Sequence, residues 1–255
     1  MEEKKGFTIQ LIIDNWLRKE EEEMKQEAKY FYASDLGYCE RKTIYRRKNT
    51  PQTNPPDNRG LRIFSVGHIF HEWVTDKILK NGILLAAEQE IINEKYNYKG
   101  RFDALVKADN KKILYDFKTQ RSDSFHYLVR EGGPKKEHIL QITSYATMGN
   151  IKPDESRILY ISKDDLLFAE YTIKTELYED EVREELKSLN QFLKEDTLPP
   201  QITETNYGKP NWKCRYCPYK DLCRGKDWEG KILKEYKKPV KKHLEEFLST
   251  KVAKT

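Results

Sequence analysis

The clearest pattern of hydrophobic and polar positions lies between Gly100 and Lys118. Two runs of apolar and β-branched residues flank the polar stretch 108–112, and this arrangement predicts a β-hairpin. Side chains alternate between the two faces of a strand, so Asp116 and Lys118 project to the same side of the second run. Asp103 lies on the first run and can meet them across the hairpin. The pattern therefore predicts two carboxylates and a lysine at one end of a strand pair.

Helices and further strands are predicted on both sides of this hairpin. Apolar residues at helical spacing predict helices over about residues 8–30, from Ser34 onward, and over 60–81, 137–149 and 176–194. Shorter apolar runs predict strands near 83–93, 98–108, 112–119, 156–162 and 166–173. Loops or linkers are predicted at 49–60, 120–137 and 198–213. We therefore expect an α/β fold, with Ser34 as the N-cap of the second helix.

The chain of 255 residues is long enough for one large domain, or for one domain with appendages. Charged residues make up 35% and hydrophobic residues 37%, but an aromatic content of 12% argues against disorder. The net charge of +5 gives a mild preference for anionic partners. The N-terminal sequence lacks the apolar core of a signal peptide, and no apolar run approaches the length of a membrane span. A cytoplasmic protein without a membrane partner is therefore expected.

A cluster of positive charge follows Ser34 in the second predicted helix. Five cations fall within eight residues, and a tyrosine lies among them: Arg41, Lys42, Tyr45, Arg46, Arg47 and Lys48. Such a cluster can contact the phosphates of a nucleic acid. A solvated basic helix face explains the same composition equally well, so the residues alone leave both interpretations open.

The metal-binding signal is carried by three cysteines near the C-terminus. Cys214, Cys217 and Cys223 follow a C-x2-C-x5-C spacing, from which three thiolates can converge on one centre. Cys39 is the remaining cysteine of the chain, so it is the fourth ligand if all four ligands are thiolates. A four-thiolate set suits zinc or an iron–sulfur cluster, and four unrelated buried thiols are the alternative. A shared centre is expected to be structural, because it would tie the second helix to the C-terminal segment.

Single motifs of this kind carry little information, but six of them occur in a fixed order. An Asp-x-Lys pattern also occurs at Asp109–Lys111 in the predicted turn, and a structural ion pair explains such a pattern by itself. The six motifs are S-x-L-x-x-C-x-R-K, G-x-x-x-H-E, G-R-x-D, D-x-K, Q-x-x-x-Y and W-K-C-x-x-C-P-x-x-x-x-C. Their order resembles the RecB-like nucleases of the PD-(D/E)XK superfamily. The split of the cysteines resembles the CRISPR-associated Cas-four exonuclease family, from about Ser34 to Cys223.

The resemblance implies a restriction-endonuclease-like core, in which a central mixed β-sheet is flanked by helices. Mg²⁺ or Mn²⁺ would be bound by His71, Asp103, Asp116 and the backbone carbonyl of Phe117. His68 is a rival to His71, but the spacing from the preceding glycine favours His71.

The resemblance also assigns the remaining site residues. The implied catalytic residues are Asp103, Asp116, Lys118, Gln141 and Tyr145, with Lys118 as the catalytic lysine. The implied ligands of a [4Fe–4S] cluster are Cys39, Cys214, Cys217 and Cys223. The basic helix would lie beside that cluster and contact DNA through Arg41, Lys42, Tyr45, Arg46 and Arg47.

The implied organisation has four parts. A helical N-terminal region (1–60) precedes the nuclease core (61–197), a cysteine segment (198–225) and a basic helical tail (226–255). The implied function is a metal-dependent DNA exonuclease that acts on single strands or overhangs. It would serve CRISPR spacer acquisition, with integrase proteins as partners, or phage or repair DNA processing. The alternative is a non-catalytic DNA-binding protein with a nuclease fold, stabilised by zinc or a cluster.

Overall fold

The computed structural model describes residues 8–24, 29–149, 151–202, 205–206, 209–210 and 212–226. The helices of this part are α1 (Ile9–Met24), α2 (Glu40–Arg47), α3 (Asn58–Lys80), α4 (Ser122–Tyr127), α5 (Lys136–Met148), α6 (Glu179–Lys194), α7 (Trp212–Arg215) and α8 (Lys220–Arg224). The strands are β1 (Phe31–Tyr32), β2 (Leu84–Asn93), β3 (Tyr98–Ala108), β4 (Lys111–Gln120), β5 (Glu155–Ser162), β6 (Phe168–Ile173), β7 (Thr205–Asn206) and β8 (Lys209–Pro210). The tail predicted at 226–255 lies outside the described residues beyond residue 226.

Six strands form one mixed sheet in the order β1-β3-β4-β5-β6, with β2 also paired to β3. The pairs β1/β3 and β4/β5 are parallel, and the other pairs are antiparallel. The hairpin between β3 and β4 turns at Asp109 and Asn110, whose φ angles of 49° and 61° are the left-handed values of a two-residue type I′ turn. The expected mixed sheet with flanking helices is confirmed.

The sheet forks at the G-R-F-D motif of β3. Strand β2 occupies one edge of β3 from Tyr98 to Val106, so β1 and β4 share the other edge. On that edge β1 pairs with residues 98–99 and β4 pairs with residues 104–108. Residues 100–103 lie between the two ladders, while β4 continues to pair with β5 up to Gln120. We call this opening between β1 and β4, beside residues 100–103 of β3, the fork. It lies within the sheet rather than at its outer edge.

Buried side chains cover both faces of the sheet and form two clusters. The larger cluster joins the sheet to α5 and α6, and includes Tyr98, Phe102, Leu114, Leu140, Tyr145, Ile158, Val182 and Leu186. The smaller cluster joins the sheet to α3, and consists of Val74, Ala104, Val106, Ile113, Phe117 and Ile161.

The side chains of β3 switch from one face of the sheet to the other at the fork. Phe102 and Ala104 should point to the same face by strand alternation, but they belong to different clusters. The alternation is therefore broken at Asp103. This break coincides with the end of the β3–β4 ladder.

Two local predictions are wrong. Ser34 does not cap a helix, because it lies in the 3-10 turn Ala33–Asp35, and α2 begins only at Glu40. Gly37, with a left-handed φ of 71°, interrupts any helical path between the two. The loop predicted at 120–137 instead contains α4 and a π-helical turn, because Phe125 and Leu128 are buried in the larger cluster.

Candidate active site

The acidic residues of the hairpin lie where β3 and β4 separate. The ladder between the strands ends at the pair Ala104–Tyr115, so Asp103 and Asp116 are the first residues beyond it. The backbone N–H of Phe117 donates a hydrogen bond to Asp103 Oδ2. A carboxylate therefore satisfies a buried donor that a strand partner would otherwise satisfy. The fork brings the acids of the two motifs to one place.

His71 reaches the fork from α3, which packs against the sheet through Val74. His71 Nδ1 lies 3.1 Å from Asp103 Oδ1, so both oxygens of Asp103 are engaged. Burial disfavours the charged imidazole, but the hydrogen bond and the charge of Asp103 outweigh burial and raise the pKa of His71. Carboxylate–histidine pairs of this kind fix the ring orientation at metal sites.

Asp116 is almost completely buried, with 1% of its surface exposed. Burial raises its pKa to about 6, the ammonium of Lys118 opposes this rise, and the charge of Asp103 adds to it. Lys118 Nζ lies 2.8 Å from Asp116 Oδ2. The ammonium of Lys118 thus offsets the charge of Asp116, while Asp103 adds a second negative charge nearby.

A hydrogen-bonded chain connects Lys118 to α5. Lys118 Nζ donates to Gln141 Oε1 at 3.0 Å, and Gln141 Nε2 donates to the hydroxyl of Tyr145 at 2.7 Å. Gln141 and Tyr145 lie four residues apart on one face of α5. Gly100 leaves room for the ring of Tyr145 in this hydrogen-bonded series, since a β-carbon at position 100 would lie 3.0 Å from two of its ring carbons. The Q-x-x-x-Y pair thereby fixes the ammonium of Lys118 beside Asp116.

Glu88 on β2 joins His71 and Asp103, and sequence analysis did not single it out. One ligand atom from each of the three residues lies within 4.8 Å of the other two. The register of β2 against β3 places Glu88 opposite Asp103, and its φ of 51° is left-handed. Burial and the charge of Asp103 raise the pKa of Glu88, although Arg101 Nε lies 2.9 Å from Glu88 Oε2.

The set of His71, Glu88 and Asp103 fits a divalent cation. Carboxylate oxygens suit Mg²⁺ and Mn²⁺, and an imidazole in the set favours Mn²⁺. Within the described ranges, these are the only three His, Cys, Asp or Glu side chains whose ligand atoms gather this closely. Asp116 lies beside Lys118 and outside this group. Metal ligation by Asp116 and by the carbonyl of Phe117 therefore stays a prediction.

A cleft between α1 and α3 gives access to these ligands. His71, Glu88 and Arg101 line it together with His68, and its walls combine apolar and acidic side chains. His68, the rival candidate from the sequence, thus lies near His71 but outside the close group.

The four cysteines line one cavity. All four are free thiols, and Cys214 is buried while the others are half-buried. Burial raises the pKa of the Cys217 and Cys223 thiols. Cationic side chains share the cavity wall: Arg41, Lys42, Lys213, Lys220 and Arg224. Such cations offset the negative charge of metal-bound thiolates, so the lining suits a four-thiolate centre, although among the described residues no three of these sulfur atoms lie within 4.8 Å of one another.

The residues predicted to contact DNA have partners within the protein. Arg46 forms an ion pair with Asp35, and Arg47 lies over the ring of Phe31. Tyr45 is buried against Tyr219, with their ring centroids 5.3 Å apart. Arg41 bonds to the hydroxyl of Tyr45 and to the carbonyl of Pro199, and Lys42 lines the cysteine cavity. The helix thus supports the cysteine segment, and its contact with DNA stays a prediction.

Comparison with known proteins extends this picture. The sequence model of the PD-(D/E)XK nuclease superfamily matches residues 15–224. This chain belongs to that superfamily. The nuclease is 28% identical over 233 residues to the CRISPR-associated exonuclease Cas4 of Saccharolobus solfataricus (strain ATCC 35092 / DSM 1617 / JCM 11322 / P2). That alignment covers 85% of this nuclease and 99% of the relative.

Solved structures share the fold of this nuclease. The crystal structure of SSO0001 superimposes with a TM-score of 0.54 at 22% identity, covering 86% of this nuclease and 97% of that chain. LHK-Exo is an alkaline exonuclease from Laribacter hongkongensis. Its structure in complex with dAMP superimposes with a TM-score of 0.50 at 15% identity, covering 69% of this nuclease and 93% of that chain. At these identities the likeness shows the fold alone.

The comparisons confirm the expected superfamily and the nuclease class of the enzyme. Across the described ranges, the helices are too short or too polar to cross a membrane.

Proposed function

We propose that this nuclease is a divalent-metal-dependent exonuclease that degrades single-stranded DNA or single-stranded overhangs. The observation that carries the proposal is the fork in the sheet. At the fork, His71, Glu88 and Asp103 offer ligands for a cation, next to the buried Asp116 and the half-buried Lys118. A cation site beside a fixed ammonium can activate water and stabilise the charge that develops on a phosphodiester during hydrolysis.

The residues of the fork have separate roles in this proposal. A bound divalent ion would supply Lewis acidity, which lowers the pKa of water and offsets charge on the phosphate. Asp103 and His71 hold each other in a fixed orientation. Lys118 is held by Asp116 and Gln141, so its ammonium can orient the attacking water or stabilise charge on the phosphate. In-line attack is expected to leave a 5′-phosphate and a 3′-hydroxyl.

The choice of DNA and of an exonuclease rests on the relatives. The Saccharolobus protein is a CRISPR-associated exonuclease that aligns with 85% of this chain. Action on new spacer precursors with integrase proteins is part of the proposal, as the family resemblance implies, and the CRISPR association of that relative supports it. The same residues would serve phage or repair DNA processing.

The proposal includes a structural [4Fe–4S] cluster on Cys39, Cys214, Cys217 and Cys223. Its support is that four free thiols line one cation-rich cavity. The turn that carries Cys217 is tied to the N-terminal region, since Asn54 Nδ2 donates to the Cys217 carbonyl at 3.1 Å. A cluster would close this cavity and hold α2 against the C-terminal segment.

The catalytic proposal is tested with end-labelled single-stranded DNA and Mn²⁺. Asp116→Asn is expected to slow degradation by about a hundredfold or more, because it removes a carboxylate from the fork. Asp109→Asn is the matched control: it changes the other Asp-x-Lys pattern, in a left-handed turn position where asparagine is favoured. Equal rates for Asp116→Asn and the wild type would remove Asp116 from catalysis. The labelled end also reports the polarity of degradation.

The cluster is tested by anaerobic purification and absorbance. A brown protein with a band near ~400 nm is expected from thiolate-bound iron, and Cys217→Ser should lose both the band and thermal stability. A colourless, zinc-containing protein that binds DNA without cutting it would instead support a non-catalytic binding module.

A further inference from the structure

Lys213 joins the cysteine segment to the helix that carries the Q-x-x-x-Y pair. It directly precedes the C-x2-C motif, and its Nζ donates to the carbonyl of Gly37 at 3.0 Å. The same Nζ lies 3.8 Å from Glu137 Oε2 and 4.6 Å from the ring centre of Tyr38. Gly37 and Tyr38 lead into the first cysteine, and Glu137 lies in the first turn of α5. One ammonium therefore contacts both arms of the cysteine site and the start of α5.

The residues in these contacts are partly shielded from solvent. The side chains of Lys213 and Glu137 are 22% and 10% exposed, so solvent screens their attraction less than it screens a surface pair. The backbone of Gly37 is held at both polar groups. Its N–H donates a hydrogen bond to the carboxylate of Glu185 at 2.9 Å, and its carbonyl accepts one from Lys213. A β-carbon on Gly37 would lie 2.9 Å from the α-carbon of Glu137, so the loop backbone rests directly on α5.

The same helix sets the position of the catalytic lysine. Gln141 lies one turn after Glu137 in α5 and accepts a hydrogen bond from Lys118 Nζ at 3.0 Å. A shift or loosening of the first turns of α5 would therefore move the acceptor that orients Lys118. The contacts form a continuous route of packed and hydrogen-bonded groups from the cysteine cavity to the fork.

We propose that Lys213 is a positioning residue that couples occupancy of the cysteine centre to the placement of Lys118. This inference rests on the proposed function. A centre held by the four cysteines would fix the cysteine arms relative to each other, and Lys213 would then be held against Glu137 and α5. Without that centre, the arm that carries Lys213 would be released, and the start of α5 would loosen with it.

The test compares Lys213→Met with Lys136→Met in the full-length, anaerobically purified protein. Lys136 is a matched control, because it lies next to Glu137 in the first turn of α5 but forms its ion pair with Glu181 at the surface. Three quantities are measured: cluster absorbance per chain, kcat and KM on single-stranded DNA, and hydrogen exchange of the amides in residues 137–142. Lys213→Met is expected to keep its absorbance and KM, to lose roughly tenfold in kcat, and to exchange faster at the start of α5.

The conservative variant and the control sharpen this outcome. Lys213→Arg keeps a donor and a positive charge and is expected to recover most of kcat. Lys136→Met is expected to behave like the wild type in all three measurements. A Lys213→Met protein with wild-type kcat and wild-type exchange in α5 would overturn the inference.

A second variant covers the case in which Lys213→Met loses its cluster or fails to fold. Glu137→Gln keeps Lys213 and its bond to Gly37, and it is expected to reproduce the loss of kcat with full absorbance. Unchanged kcat in Glu137→Gln would overturn the coupling. If the wild type proves inactive on DNA, the proposed function fails, but the coupling is still tested by hydrogen exchange. Faster exchange of α5 in chelator-treated than in loaded wild type supports it, and equal exchange overturns it.

Discussion

Replacement of Gly100 by alanine tests whether the packing behind the fork controls the site. A β-carbon at position 100 would overlap the hydroxyl of Tyr98 and lie 3.0 Å from two ring carbons of Tyr145. These rings are 0% and 2% exposed, so neither can swing into solvent. The backbone of Gly100 is not left-handed, so the expected effect is steric alone.

The magnitude follows from the atoms that must move. Inserting a methyl group into a packed core costs about 1–3 kcal/mol. The hydroxyl of Tyr98 lies 2.8 Å from Ser144 Oγ, and displacing it adds about 1 kcal/mol for the lost hydrogen bond. Gly100→Ala is therefore expected to lower the free energy of unfolding by about 2–4 kcal/mol. Because Tyr145 shares a hydrogen bond with Gln141, kcat is expected to fall as well.

Urea unfolding followed by circular dichroism measures the change, and Gly67→Ala provides the comparison. A β-carbon on Gly67 would meet only Thr119 Oγ1 at 3.7 Å, an ordinary contact, within helix α3. Alanine is expected to stabilise that helix by about 0.5–1 kcal/mol. The two substitutions should therefore shift stability in opposite directions. A Gly100→Ala protein within about 0.5 kcal/mol of the wild type would refute the packing argument.

Three further predictions follow from individual contacts. Glu88→Gln is expected to weaken Mn²⁺ binding about tenfold or more, measured by calorimetry, because it removes a charged ligand. Glu90 pairs with Lys99 on the surface, so Glu90→Gln should leave Mn²⁺ binding unchanged. Burial raises the pKa of Glu185 from 4.5 to about 7, so the stability linked to its proton is present below about pH 4.5 and lost as the pH rises through 7. Glu185→Gln should accordingly gain about 1–2 kcal/mol over the wild type at pH 8 and little at pH 4.5, and an equal gain at both pH values in urea unfolding would contradict this assignment. Arg46→Gln is expected to destabilise the fold by about 2–4 kcal/mol in the same assay, because the buried Asp35 would lose its cationic partner and keep only the N–H of Tyr32. A stable variant that only binds DNA less tightly would show that Arg46 serves DNA instead.

The parts of the site that sequence could predict are those set by local spacing. Asp116 and Lys118 lie two residues apart in a strand, so their common face follows from the backbone period alone. Gln141 and Tyr145 lie four apart in a helix, and their hydrogen bond follows in the same way. The superfamily and the mixed sheet could be predicted because six such short patterns occur in order.

The parts that could not be predicted depend on register and on partners far along the chain. Glu88 resembles Glu90 in the sequence, and only the register of β2 against Asp103 separates them. The basic helix was open to two interpretations because charge does not reveal that Arg46 pairs with Asp35. The capping role predicted for Ser34 failed because the 3-10 turn that contains it ends at the extended residue Leu36. The left-handed Gly37 then follows, and its backbone rests on Glu137, about a hundred residues away in the sequence.

The split of the cysteines also sets the order in which the protein can be completed during synthesis. The hairpin of β3 and β4 closes through a two-residue turn, and such local contacts form within microseconds. Cys39, in contrast, precedes its cavity partner Cys214 by most of the described chain, with no cysteine between them. The residues of the β3–β4 hairpin are therefore synthesised before the cavity around Cys39 can be completed. A metal held by all four thiols, as proposed above, would bind only after the segment from Cys214 to Cys223 has been synthesised.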